Sequence, residues 1–256
     1  MRLNNLINTF LGKSIGINLK RVKIRKVDKA EGKHLYVEFV GVPGVGKTTL
    51  YNNVFKQIKN KWLDISELQQ IFAEHSNGKA SESFSCYQDL AQHKVTTVAS
   101  YDHSGLDKMK ILKYFHSVLI NDSLVYLFNK EYNIMSDEGV IHNFGEGIVA
   151  LSKYKESEYK DFLKQRAIIY CETSASIIAK RIKEREKITG NLLPQHKVDS
   201  FDILVQHQEK ALYNYRHIFD YSSKYNIPIL PINTSEPMYD NIQKVIEFMT
   251  KLTDKK

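Results

Sequence analysis

Gly41-Val42-Pro43-Gly44-Val45-Gly46-Lys47-Thr48 decides the fold: the run before it, Leu35 to Val40, is almost wholly apolar, and a helical pattern opens after it at Thr49. A buried strand that hands a glycine-rich turn to the start of a helix makes a cradle for phosphate. Gly41, Gly44 and Gly46 let backbone N–H groups turn inward, and the helix adds the positive end of its dipole. In that setting Lys47 reaches the β- and γ-phosphates and the Thr48 hydroxyl can ligate Mg²⁺. Val42, Pro43, Val45 and Thr49 complete the stretch expected to bind nucleotide.

Working outward, 256 residues with 42% hydrophobic content are enough for a sizeable buried core. No apolar run approaches the roughly 18 residues that cross a bilayer, and no small-residue cleavage site follows the N-terminal segment. Cys86 and Cys171 stand far apart without metal-ligand spacing, as expected of buried thiols in a reducing cytoplasm. The net charge of +8 is uneven. Residues 1–33 hold nine Lys/Arg against two acids (+7), and residues 34–256 hold 28 against 27 (+1). The body is therefore expected to lack a broad nucleic-acid-binding face.

Leu3, Leu6, Ile7, Phe10 and Leu11 recur at helical spacing ahead of the basic run Lys20 to Lys26. This arm is suited to an anionic membrane surface or an acidic protein partner, or to packing on the body with a solvated linker. After the cradle, Leu50, Val54, Ile58 and Trp62 make one helix face, with helical hints at Ile65 to Phe72 and a loop at Ser76 to Ser85. The β-branched run in Lys94 to Ser100 predicts a second strand, followed by a long helix from about Leu106 to Phe128. Tyr132 to Ser136 predicts a third strand, ending on Asp137-Glu138-Gly139. A fourth is expected at Ala167 to Cys171 and a fifth at Ile227 to Ile232, where Pro228 and Pro231 suggest a sheet edge. Helices are expected at Ser174 to Lys187, Phe201 to Lys224 and across Ile242 to Leu252. The alternation implies a doubly wound, mostly parallel five-stranded α/β sheet, ligands sitting at the strands' carboxyl ends. No repeat or linker interrupts residues 34–256, so one domain carrying an N-terminal arm, 1–33, is expected.

Three features beyond the cradle bear on chemistry. Asp137-Glu138 stands at a strand end, where a carboxylate, Asp137 above all, can hold Mg²⁺ through water or take a proton from an attacking hydroxyl. Arg181 and Arg185, four apart on a helix, present both guanidiniums on one face, where they can stabilise charge spreading over a transferring phosphoryl group. Asn233 and Thr234 follow the last strand, where a base can be enclosed; Thr234 or Ser235 also serves as a helix N-cap.

In this order of parts, residues 35–252 resemble P-loop NTPases of the nucleoside and nucleotide kinase group, closest in layout to thymidylate kinases. The resemblance implies a central P-loop strand, ATP and Mg²⁺ as cofactors, Lys47 and Thr48 at the phosphates, Asp137 at the acid position and Arg181 and Arg185 as lid arginines. One departure stands out: those kinases follow the strand-end acid with arginine, and here it is Glu138. Between Arg25 and Arg166 there is no arginine at all. A phosphate monoester favours bidentate arginine contacts, so the expected acceptor is a hydroxyl of an uncharged small molecule, a nucleoside or sugar, with a nucleoside monophosphate as the alternative. Its pocket is expected to draw on residues 63–105, His142 and Asn143; His75, His93 and His103 in that region read more simply as surface or core histidines. A nucleotide-dependent switch is the rival from another class, since Asp102-His103-Ser104-Gly105 follows the predicted second strand as a switch aspartate and glycine would. Against it, Asn129-Lys130-Glu131-Tyr132 lacks the final aspartate that reads guanine. A catalytically silent P-loop protein recruited through its basic arm is a third possibility.

Overall fold

The computed structural model describes residues 35–68, 84–128, 132–164, 166–190 and 200–254. The arm, the Ser76 to Ser85 loop but for its last two residues, and the second half of the predicted helix at Ile65 to Phe72 lie outside them.

Five strands form one parallel sheet in the order β2-β3-β1-β4-β5. They are β1 (Tyr36–Val40), β2 (Trp62–Asp64), β3 (Asn133–Asp137), β4 (Arg166–Glu172) and β5 (Ile229–Asn233). The helices are α1 (Lys47–Ile58), α2 (Phe84–Ala99), α3 (Gly105–Phe128), α4 (Val140–Ser152), α5 (Glu156–Leu163), α6 (Ala175–Thr189), α7 (Phe201–Ser223) and α8 (Met238–Thr253).

Strand periodicity sorts the core into two layers. Leu35, Val37 and Phe39 of the β1 segment and Ala167, Ile169 and Cys171 of β4 face α1, α6, the first half of α7, and α8. Val40, Ile168 and Tyr170 face α2, α3, α4, α5 and the second half of α7. Both faces are covered, and β1, buried throughout, lies in the middle. β5 is an edge, as its prolines suggested.

Two expectations fail. Lys94 to Ala99 is the last part of helix α2 and Ser100 the turn after it, so this segment is not a strand. There Thr96 and Thr97 turn their hydroxyls back onto the carbonyls of Gln92 and His93, at 3.1 and 2.9 Å, which satisfies them inside a helix. The second strand is instead the three-residue β2, so Trp62 leaves the α1 face and pairs beside Asn133 of β3. Among the described residues no helix is long and apolar enough to cross a membrane.

Candidate active site

The chain leaves β1 through the cradle and enters α1 at Lys47. Gly44, at φ +89°, packs so closely on α6 that a β-carbon would sit 2.7 Å from Cγ1 of Ile182. Gly46, at φ +101°, precedes α1 in the left-handed region that glycine adopts without cost. Cradle and α6 are thus built in contact.

Arg181 tightens the same junction. Its guanidinium donates to the Val45 carbonyl, to the Thr234 hydroxyl at 3.0 Å and to the Thr234 carbonyl at 2.9 Å, and the Thr234 hydroxyl donates to Val45 as well. The cradle is therefore tied to α6 and to the loop after β5. Arg185, one turn on, is exposed and lines the same opening.

At the end of β3, Lys47 meets two carboxylates. Its ammonium, 4% exposed, lies 3.1 Å from Asp137 Oδ1 and 2.8 Å from Glu138 Oε1. Glu138 adopts φ +70°, a left-handed conformation uncommon for a residue with a β-carbon. The Asn143 side-chain amide fixes that turn by donating to the Glu138 and Gly139 carbonyls at 2.8 and 2.9 Å. Burial alone would raise the Glu138 carboxyl, but Lys47, with His142 behind it, outweighs burial and holds it below its ordinary value.

The other side of Glu138 opens on a polar end without arginine. The Tyr114 hydroxyl stands 3.2 Å from Glu138 Oε2 and from Asn143 Oδ1; burial, then Glu138, pushes its pKa up to about 12. His142 Nε2 lies 3.8 Å from Glu138 Oε1, and Nδ1 is 3.0 Å from the Tyr215 hydroxyl. Burial and then the Lys47 charge lower His142 to about 4, so the ring is neutral at pH 7. Lys94 stands behind, donating to the Asn143 carbonyl at 2.7 Å with its ammonium over the Phe115 ring.

α4 begins at Gly139 with no side-chain cap of its own. Glu38 supplies one from inside β1, accepting the His142 N–H at 2.6 Å. Fully buried, Glu38 is pushed up to about 7 by desolvation, against the opposing pull of Arg166. Arg166 itself forms a bidentate pair with Asp122, at 2.9 and 2.6 Å.

One cavity of about 820 Å³ joins these parts: Val42 to Gly44 and Gly46 to Thr49 without Val45, then Glu138, His142 and Asn143, then Tyr114 and Phe115 of α3, and Arg181, Arg185, Thr234 and Met238. The structure so brings together Lys47, Thr48, Arg181, Arg185 and Thr234, with Asp137 against Lys47. Asn233 falls outside. It borders a separate cleft with Glu172 and Arg216, and its side chain holds the N–H and hydroxyl of Ser235. α8 starts later than expected, with Pro237 at the N-cap position in place of Thr234 or Ser235.

The arginine-free end of the cavity draws on α3 beside His142 and Asn143, and no described residue between 63 and 105 lines the cavity. His93 packs beneath α4 at Gly147, and His103 is exposed in the α2–α3 turn; His75 lies outside the described residues. Asp102 to Gly105 follows a helix, and Ser104 caps α3 by accepting the Asp107 N–H at 3.1 Å, which removes the switch-like context. Tyr114 and Tyr215 carry no local signal in the sequence, since only tertiary packing places α3 and α7 beside the end of β3.

A P-loop strand at the sheet's centre, strands in parallel on both sides and a cradle opening a helix settle the architecture. The fold is a doubly wound parallel α/β sheet with a P-loop-type cradle after its central strand. No family model and no curated protein sequence matches the chain. Similar solved structures include a shikimate kinase from Bacteroides thetaiotaomicron (12% identity, TM-score 0.44, covering 84% of this chain and 98% of that one). A deoxyadenosine kinase from M. mycoides overlaps at 13% identity and TM-score 0.45, covering 85% and 100%. A gluconokinase from Sinorhizobium meliloti 1021 overlaps at 12% and 0.40, covering 90% and 96%.

Proposed function

We propose that the protein transfers a phosphoryl group from ATP to a hydroxyl of a small molecule that carries no phosphate, such as a nucleoside or sugar. The observation that carries this reading is the single cavity in which the Lys47 cradle and the arginine-free Tyr114, His142 and Asn143 end meet at Glu138.

The triphosphate lies in the cradle with Lys47 at its β- and γ-oxygens. Arg181 supports the cradle through Val45, and Arg185, free to swing inward from the rim, adds charge over the transferring group. Thr234 and Met238 bound the side where the base rests. Asp137, Lys47 and the neutral His142 keep the reacting region polar, while Phe115 limits water at the acceptor side. Transfer through a loose transition state asks the chain mainly for positioning and charge stabilisation.

The residues present fit Mg²⁺. Asp137 Oδ1, buried 3.1 Å from the Lys47 ammonium, has no aligned hydrogen-bond donor, and the exposed Thr48 hydroxyl opens on the cavity that Lys47 also lines. Thr48 and Asp137 would hold the ion together with phosphate oxygens and water, and when bound it neutralises charge on the phosphates. Among the described residues there is no cluster of three metal-ligating side chains, in keeping with an ion held mostly by its nucleotide.

The test is an ADP-release screen over nucleosides, nucleoside monophosphates and simple sugars. ADP release that depends on an unphosphorylated acceptor supports the proposal. Release only with monophosphates replaces it with the nucleotide-kinase alternative, and slow acceptor-independent release replaces it with an ATPase.

A further inference from the structure

Glu138 belongs to both ends of the cavity. Oε1 is taken by the Lys47 ammonium at 2.8 Å and Oε2 faces the Tyr114 hydroxyl at 3.2 Å. The backbone sits in an uncommon conformation, held by Asn143, so the carboxylate is placed there by construction and not by a free rotamer.

Lys47 has a single charge to share. When triphosphate oxygens reach its ammonium they come within a few ångströms of both carboxylates, and like charges at that spacing repel strongly in a partly buried site. Of the two acids Glu138 is the more exposed, 38% against 19% for Asp137, and its far oxygen, Oε2, has a further partner in the Tyr114 hydroxyl. It is therefore the acid that yields.

We infer that Glu138 is the ligand of the acceptor's hydroxyl, and that arrival of the triphosphate on Lys47 releases it for that role, so that nucleotide binding strengthens acceptor binding. This rests on the phosphoryl-transfer reading above and goes beyond it in assigning the acceptor's anchor and the order of assembly. An anionic carboxylate flanked by a phenol, an amide and a neutral imidazole accepts from hydroxyls and repels a phosphate monoester. The empty-handed enzyme keeps this carboxylate masked, and so binds its acceptor weakly until nucleotide is present.

The experiment uses the full chain, a non-hydrolysable ATP analogue with Mg²⁺, and the best acceptor from the screen, read by calorimetry and steady-state kinetics. In the wild type, saturating analogue is expected to tighten acceptor binding about tenfold, within the usual range for coupled sites. In Glu138→Gln, which keeps size and removes charge, analogue affinity is expected to rise about threefold or more, acceptor KM to rise at least tenfold, and the coupling to vanish. Glu138→Asp keeps the charge but withdraws it by one methylene; it should retain wild-type analogue affinity while losing acceptor affinity, which a merely structural role would not separate. Acceptor affinity indifferent to nucleotide in the wild type, or analogue affinity unchanged or weaker in Glu138→Gln, overturns the inference while leaving phosphoryl transfer in place. A screen without any acceptor-dependent ADP release overturns phosphoryl transfer itself, and this inference with it.

Discussion

Lys47 and Glu138, 91 positions apart in the chain, hold each other across the cavity with Nζ 2.8 Å from Oε1. The Lys47 ammonium is thus compensated by an acid from β3, Asp137, and by another just beyond it, Glu138. Lys47→Met keeps the apolar stem and strands both carboxylates. Because Glu138 is partly solvated, the stability cost is expected to be modest, about 1–2 kcal/mol. ATP affinity is expected to fall more than tenfold; denaturant melts and nucleotide titration check the two effects separately.

The two arginines of α6 should separate. Arg181 spends its donors on Val45 and Thr234, so Arg181→Ala should loosen the cradle, costing about 1–3 kcal/mol of stability and weakening nucleotide binding. Arg185 is exposed at the rim, so Arg185→Ala should leave the melt within about 0.5 kcal/mol and reduce kcat. Equal melts for both variants would contradict this division.

Gly44→Ala combines a left-handed φ with a β-carbon 2.7 Å from Ile182 Cγ1. It is expected to destabilise by about 2–4 kcal/mol and to displace the cradle. Ile182→Ala removes both Cγ1 and Cδ1, so on that background Gly44→Ala should cost less in denaturant melts than it does alone; strict additivity of the two changes would show that the contact is not the cause.

Glu38 and His142, joined through the His142 N–H, carry opposite pH dependences. The Glu38 carboxyl is raised by burial from its ordinary 4.5 to about 7, so the folded state binds the extra proton and stability falls as pH climbs across that window. His142 is lowered from 6.5 to about 4, so the unfolded state binds the extra proton and stability rises with pH between those values. Each is worth about 3 kcal/mol over its window. The two nearly cancel from about pH 4.5 to 6.5. Glu38→Gln should therefore gain stability on going from pH 4 to 6.5, and His142→Gln should lose it from pH 4.5 to 7. Urea midpoints measured across that range check the signs; profiles parallel to the wild type would refute both.

Much of this was legible in the sequence because it is written locally. The cradle, the apolar run of β1 and the acid after β3 each declare themselves within a few residues, and the spacing of Arg181 and Arg185 was enough to put them on one side of α6. What failed was also local. Val95, Thr96, Thr97 and Val98 read as a strand because β-branched residues favour one, yet Val98 is buried in a helix and the threonines bond back to their own turn. β2 is three residues long, too short for alternation to show. The arginine-free end of the cavity was half seen: His142 and Asn143 follow the acid in sequence, whereas Tyr114 and Tyr215 reach it only through the packing of α3 and α7 against α4.

The most direct test of phosphoryl transfer from the Lys47 cradle is ³¹P NMR of ATP, Mg²⁺ and the best acceptor with the full chain. A new monoester resonance growing in step with ADP, and absent with Lys47→Met, is the expected result. Inorganic phosphate as the sole product, formed at the same rate with or without acceptor, would contradict it.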